Sequence, residues 1–271
     1  MVTETDMQGR TCRATLGALA LFILSVAVPV YAATDEFGGD PYKSAPWVDM
    51  KRVFLGNGKA VFDQRVQVQG PAFAEDPMNV PISVRVDPAL GPIEQIVVMV
   101  DRNPIRKVLV YYPMQALPSI AFRFKLEQAS PVRAAALTRS GVWHVGGAWV
   151  DSSGGGCTVA GVTRKDGTWS QTLGDVSGRL YSVAPGSESA SRLRFKVMHP
   201  MDTGLVNGIP AFYVNRLSVR DSADRELARM QTFEPVSENP VFSFDFTKPP
   251  VGGVQVVGTD NNGNRITSRV E

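Results

Sequence analysis

Cysteine and histidine are both scarce in this chain, with two of each among 271 residues. Cys12 precedes an apolar run near the N-terminus, which leaves Cys157 without an obvious disulfide partner. Two histidines and one remaining cysteine supply no dedicated metal centre, and neither a metal nor another cofactor is expected. Charge of one sign is also lacking. With 28 basic and 26 acidic side chains the formal net charge is +2, and no Lys/Arg stripe forms, which argues against a nucleic-acid partner. No apolar run reaches the ~20 residues of a comfortable transmembrane helix. No serine stands in a G-x-S-x-G setting, Ser153 has no base in view, and no local motif places an acid pair. No catalytic residue is expected, so the protein is read as a non-enzyme.

What is present begins with a leader. Arg10 and Arg13 precede an apolar run from Leu16 to Val30, and Val30-Tyr31-Ala32 closes it with residues that a signal peptidase tolerates. Residues 1–32 therefore read as a secretory signal, with a mature chain starting near Ala33 that is periplasmic and free of the membrane after cleavage. The arginines are not adjacent, so a twin-arginine route is not indicated. Cys12 lies before the apolar run, where a lipid-anchored cysteine would not.

The rest of the chain has the periodicity of strands. A short helical segment, Ser44 to Leu55, places Trp47, Met50, Phe54 and Leu55 on one face, with Ser44 as its N-cap and Gly56-Asn57-Gly58 as its end. Then Val80, Ile82, Val84 and Val86 alternate with polar or small residues, as in a half-buried strand. Ile93–Val100, Arg106–Tyr112, the alternation Ile120/Phe122/Phe124/Leu126, Val132–Thr138 and Val142–Val150 complete a first set. Strands resume at Leu193, Phe195 and Val197 and continue through 212–220, 226–233 and the Phe242/Phe244/Phe246 face. The last two are 254–258 and 265–270, joined by the hairpin turn Asn261-Asn262-Gly263-Asn264. The fold class is all-β, two β-sandwiches in tandem. Residues 33–157 form the first and 192–271 the second. Residues 158–191, rich in Gly and Ser and containing Pro185-Gly186, read as a linker with one hairpin around Asp166-Gly167.

Cys157 closes the first sandwich, directly after Gly154, Gly155 and Gly156. A thiol on a stretch with almost no side chains suits a mobile arm, since glycine lets backbone approach a partner closely. Six residue steps from Asp151 give a reach of roughly 20 Å. Arg164 and Lys165 are several residues distant, so an ordinary thiol of pKa ~8.5 is expected. The plain alternative is a linker with a small buried hydrophobe.

His199 sits at a strand end, in the segment His199-Pro200-Met201-Asp202-Thr203-Gly204. It supports either a turn or the interface between the sandwiches. Met198 and Met201 beside it would suit copper, but no second His or Cys lies at ligand spacing. His144, between Trp143 and Val145, reads as a strand-face residue, and Trp143 and Trp149 as packed.

Several segments carry a family resemblance. From about Pro81 to Cys157, with Asn103-Pro104 after a strand and a glycine-flanked cysteine at the end, the chain resembles SoxY, the thiol-bearing subunit of the sulfur carrier SoxYZ. From about Leu193 to Glu271 it resembles SoxZ, through His199–Gly204, Ile209-Pro210-Ala211-Phe212, and Asn239-Pro240 followed by Phe242-Ser243-Phe244. The whole is similar to a fused SoxYZ-like carrier, a group that includes forms linked with quinoprotein (PQQ) dehydrogenases. The resemblance implies immunoglobulin-like sandwiches that pair within the chain, and covalent carriage of sulfur intermediates, thiosulfate among them, on Cys157. Implied partners are periplasmic sulfur-oxidising enzymes or a quinoprotein dehydrogenase system. One departure stands out: SoxY ends in a free GGCGG tail, whereas Cys157 is followed by Thr158-Val159 and a further domain. A second function remains open beside carriage, that of a non-covalent binding or assembly module for an exported quinoprotein dehydrogenase.

Overall fold

The computed structural model describes residues 38–184 and 188–271. The leader and the Pro185-Gly186 pair lie outside the described residues. Sixteen strands occur among those described. In the first half they are β1 (Ala60–Phe62), β2 (Val66–Gln69), β3 (Phe73–Ala74), β4 (Val80–Val86), β5 (Ile93–Val100), β6 (Lys107–Tyr112), β7 (Ser119–Phe124), β8 (Ser130–Thr138) and β9 (Trp143–Ser152). The second half supplies β10 (Val176–Ser182), β11 (Ser191–Val197), β12 (Val214–Arg220), β13 (Glu226–Thr232), β14 (Val241–Phe246), β15 (Val254–Asp260) and β16 (Arg265–Val270).

The expected all-β, tandem-sandwich architecture is present, and the two sandwiches are joined edge to edge. One sheet runs β1-β9-β8-β5-β6-β13-β12-β15-β16, with β3 paired to β9; the other runs β10-β11-β14-β7-β4-β2. The first sheet crosses between the halves where β6 pairs antiparallel with β13, and the second where β14 pairs with β7. Alternating residues fill the space between the sheets. Val80, Ile82, Val84 and Val86 point inward from β4, and Phe242, Phe244 and Phe246 from β14. Tyr111 of the first half meets Phe244 of the second at 5.7 Å between ring centroids. One apolar core therefore spans both halves.

The continuous apolar run of β5 is buried on both faces, as such runs are. Its outer face is covered by α1 (Pro46–Met50) and a π-helical turn, Lys51–Leu55, which ends at Gly56 with φ +70°. Ala45 occupies the N-cap, so Ser44 does not cap the helix through its side chain. Beneath this cover Arg133 of β8 is fully buried between Asp40 and Asp101, with hydrogen bonds of 2.6–2.8 Å to each. Its guanidinium lies 4.7 Å from the Trp47 ring centroid and 5.0 Å from that of Tyr42.

Two further expectations change. Residues 158–191 are not a plain linker: they hold 3-10 turns at Thr163–Lys165 and Trp169–Gln171, and β10, which pairs with β11 along its length. No hairpin forms at Asp166-Gly167; Asp166 accepts from the Thr168 amide and hydroxyl instead. Trp149 is half-exposed, with Arg102 over its ring, whereas Trp143 is buried and donates to the Leu55 carbonyl. The hairpin at 261–264 joins β15 and β16 as expected.

Candidate functional site

The glycine–cysteine stretch is a closed, anchored loop, and Cys157 is 1% exposed. This corrects the expectation of a thiol carried on a free arm. Gly154 and Gly155 have φ of +95° and +85°, which L side chains rarely adopt. Gly156 serves close approach: a Cβ there would lie 2.3 Å from the Pro77 carbonyl oxygen and 2.6 Å from that of Leu126. The Gly155 and Gly156 amides donate to the carbonyls of Glu127 and Leu126. The loop thus seats its backbone directly on the chain following β7.

Glu127 holds the next two residues. Its carboxylate accepts from the Cys157 amide at 2.8 Å and from the Thr158 hydroxyl at 2.9 Å. The Cys157 thiol donates to the Lys125 carbonyl at 3.6 Å. That carbonyl also accepts from Asn103 Nδ2 at 2.7 Å, while Asn103 Oδ1 accepts from the Glu127 amide at 2.8 Å. Asn103, the residue of the first Asn-Pro pair, therefore fixes the strand end that receives the thiol.

The segment His199–Gly204 of the second half closes over the loop from the other side. The Thr203 hydroxyl donates to the Cys157 carbonyl at 2.6 Å. Asp202 accepts from Arg164 Nε at 2.6 Å, and the Met201 carbonyl accepts from the buried Lys125 ammonium. The turn is held by its own contacts. His199 Nδ1 accepts from the Met201 amide at 3.0 Å, Pro200 is buried, Met201 has φ +50°, and Gly204, with φ +77°, lies against Ala211. Farther along the loop, the Glu238 carboxylate accepts from the Val162 and Thr163 amides at 3.0 and 2.8 Å. Asn239, of the second Asn-Pro pair, donates to the Thr163 hydroxyl and accepts from the His199 amide.

The expected residues are therefore brought to one place, the seam between the two halves. Lys125, Glu127 and Glu238 complete the site and had no sequence signal, since no motif or spacing sets them apart from the other charged residues of the chain. Met198 is not drawn into a ligand set. The Met201 sulfur instead lies 3.3 Å from the Val214 amide, and His199 Nε2 lies 3.5 Å from Asp260. His144 pairs with Asp63 through Nδ1 at 2.8 Å, away from the thiol. Among the described residues no group of three His, Cys, Asp or Glu is placed to hold a metal.

Electrostatically the closed site keeps sulfur protonated. Burial, followed by the Glu127 charge, pushes the Cys157 thiol up to about 12, with Lys125 opposing. Burial lowers the Lys125 ammonium, against the pull of Asp202, Cys157 and Glu238. It also pushes His199 down to about 4, against Asp260. Such a thiol is not a nucleophile at neutral pH. Cys157 nevertheless belongs to neither apolar cluster of the fold. Its enclosure is made by polar anchors, each worth about 0.5–1.5 kcal/mol net, or ~1.5–3 where a charge takes part.

Two family models match successive stretches of the chain. The family model for "Sulfur oxidation protein SoxY" matches residues 50–157, and that for "Sulphur oxidation protein SoxZ" matches residues 183–271. A solved structure of the sulfur carrier protein SoxY from Chlorobium limicola f thiosulfatophilum is similar at 14% identity and a TM-score of 0.35, covering 40% of this chain and 97% of that one. No curated protein matches the chain.

Proposed function

Because the chain joins a SoxY domain and a SoxZ domain in one polypeptide, we propose that it is a periplasmic sulfur carrier that holds its cargo covalently on Cys157. The loop opens to expose the thiol, and partner enzymes load and unload it. In loading by exchange, the thiolate attacks a disulfide-type donor. A new S–S bond forms as the donor's S–S bond breaks, and the leaving thiolate takes the electron pair, so no separate oxidant is needed. The protein itself activates nothing; the closed loop protects the thiol between encounters.

The observation that carries this reading is the make-up of the anchors. Cys157 is gripped by Glu127 on one side and Thr203 on the other, through backbone and carboxylate hydrogen bonds that water can replace. Local openings that break a handful of such bonds lie well below the cost of global unfolding. Mass spectrometry of protein purified, without reductant, from cells oxidising reduced sulfur compounds tests it. A reductant-labile adduct on the Cys157 peptide is expected. Free thiol in every preparation, with a Cys157→Ser chain supporting sulfur oxidation normally, would overturn it.

One observation favours a second reading. A thiol pushed up to about 12 and enclosed at rest suits a small core residue. The protein is then a non-covalent binding or assembly module for an exported quinoprotein dehydrogenase. That reading expects Cys157→Ser to be silent.

A further inference from the structure

The outer face of the β10-β11-β14-β7-β4-β2 sheet carries a cationic trough. Its floor is a row of small side chains in register across three neighbouring strands, Ser83 opposite Ala121 and Ala121 opposite Ser243. The row continues from Ser243 to Arg194 of β11. The depression is about 600 Å³, and it adjoins a second of about 430 Å³, with Ser83, Ala121 and Ser243 lining both.

Cations border this floor. β11 presents Arg192, Arg194 and Lys196 on its exposed side while Leu193, Phe195 and Val197 fill the core. Alternate residues of a strand repeat every ~6.6–6.8 Å, so these three cations form an evenly spaced ladder. Arg123 stands at one end of the floor, two residues beyond Ala121 on β7. Arg192 is paired with Asp245 at 2.7 Å. Arg123, Arg194 and Lys196 carry no ion pair among the described residues. Asp245 and Glu188, which line the smaller depression, are each paired with an arginine, Arg192 and Arg85, so the uncompensated charge along this face is positive.

The trough also points at the cysteine loop. Its Arg123 end lies two residues before Lys125, whose carbonyl holds the thiol. The Ser237 amide, next to the loop anchor Glu238, donates to the Arg123 carbonyl. Two strand residues span about 7 Å.

We propose that this trough is the docking surface for an extended, acidic segment of a partner protein, whose carboxylates at alternate positions match the Arg192–Arg194–Lys196 ladder. A partner seated there is delivered to the edge of the Cys157 loop. A segment laid along β11 meets all three rungs of the ladder, and the small side chains of Ser243, Ala121 and Ser83 beside it leave room for its backbone. Binding itself rests on the trough alone; its purpose rests on the carrier reading.

The test uses the full chain and a fluorescent twelve-residue peptide of alternating Glu and Thr, at low and at physiological ionic strength. Binding is expected, weakening with salt. It should fall at least about tenfold in Arg123→Glu/Arg194→Glu, whose exposed sites leave folding unchanged by thermal melt. Arg265→Glu, on the edge strand β16 of the other sheet, should change it less than twofold. The proposal is overturned by absence of binding at low salt, by an equal loss in Arg265→Glu, or by full displacement with millimolar sulfate or thiosulfate, which would mark a small-anion site. Cys157→Ser should bind the peptide as the wild type does, so failure of the carrier reading leaves this outcome readable.

Discussion

The Glu127 carboxylate accepts the Cys157 amide at 2.8 Å, and the same charge helps hold the neighbouring thiol in its protonated form. Anchor and suppressor are one group. Replacing Glu127 with Ala removes two charge-assisted hydrogen bonds and a like charge at once. Each such bond contributes about 1.5 kcal/mol or more, and ~1.4 kcal/mol is a tenfold change in an equilibrium. Iodoacetamide at pH 8 should therefore alkylate Cys157 at least about tenfold faster in Glu127→Ala, with Glu127→Gln in between. Equal rates in all three chains would mean that the carboxylate does not gate the thiol.

Gly156→Ala should open the same loop by steric means. A Cβ 2.3 Å from the Pro77 carbonyl oxygen cannot be accommodated, because the obstacle is backbone. The loop should lift, raising hydrogen exchange at the amides of Gly155, Gly156 and Cys157, while the strands keep wild-type protection. Unchanged exchange in the loop would contradict the close seating described above.

The pH dependence follows from the thiol. Its folded pKa of about 12 stands above the ordinary ~8.5 of an unfolded chain. The folded state thus retains a proton that the unfolded state has lost, and the closed loop is fully favoured only below ~8.5. Stability should decline as pH rises from there towards 12, and Cys157→Ser should abolish that slope. Alkylation through the open loop should inflect near the ordinary thiol value; an inflection near 12 would place the reaction in the closed state.

His199 predicts the opposite limb. Pushed down to about 4 by burial, it stays neutral in the fold while the unfolded chain takes up a proton below ~6.5. Stability should fall as pH drops from ~6.5 to 4. His199→Gln should flatten that part of the melting-temperature profile.

Arg133→Met would strand two buried carboxylates, Asp40 and Asp101. Removing one partner from a buried ionic cluster costs about 3–5 kcal/mol, which urea denaturation would read as a lower midpoint.

Much of the strand framework was legible because burial on one face writes a period of two, as in Val80–Val86 and Phe242–Phe246. The 261–264 hairpin was legible from its turn residues. β10 was not: Ser177, Gly178 and Arg179 show little alternation, because the strand lies at a sheet edge and gains its place by pairing with β11. Cys157 and the His199–Gly204 turn were visible as motifs. Their mutual contact was not, since it depends on Lys125, Glu127 and Glu238, single charges whose role arises only when distant segments meet. The thiol's enclosure was missed for a related reason. Glycines that suggest freedom in a sequence also permit tight seating on backbone.

Strand pairing of β6 with β13 and of β7 with β14 removes any hinge between the SoxY and SoxZ portions. Neither portion can dissociate, exchange or tilt to uncover the sulfur without tearing ladder bonds and a common interior. Whatever reactivity Cys157 shows must then be metered by one short piece of chain, residues 153–165, working against an immobile body.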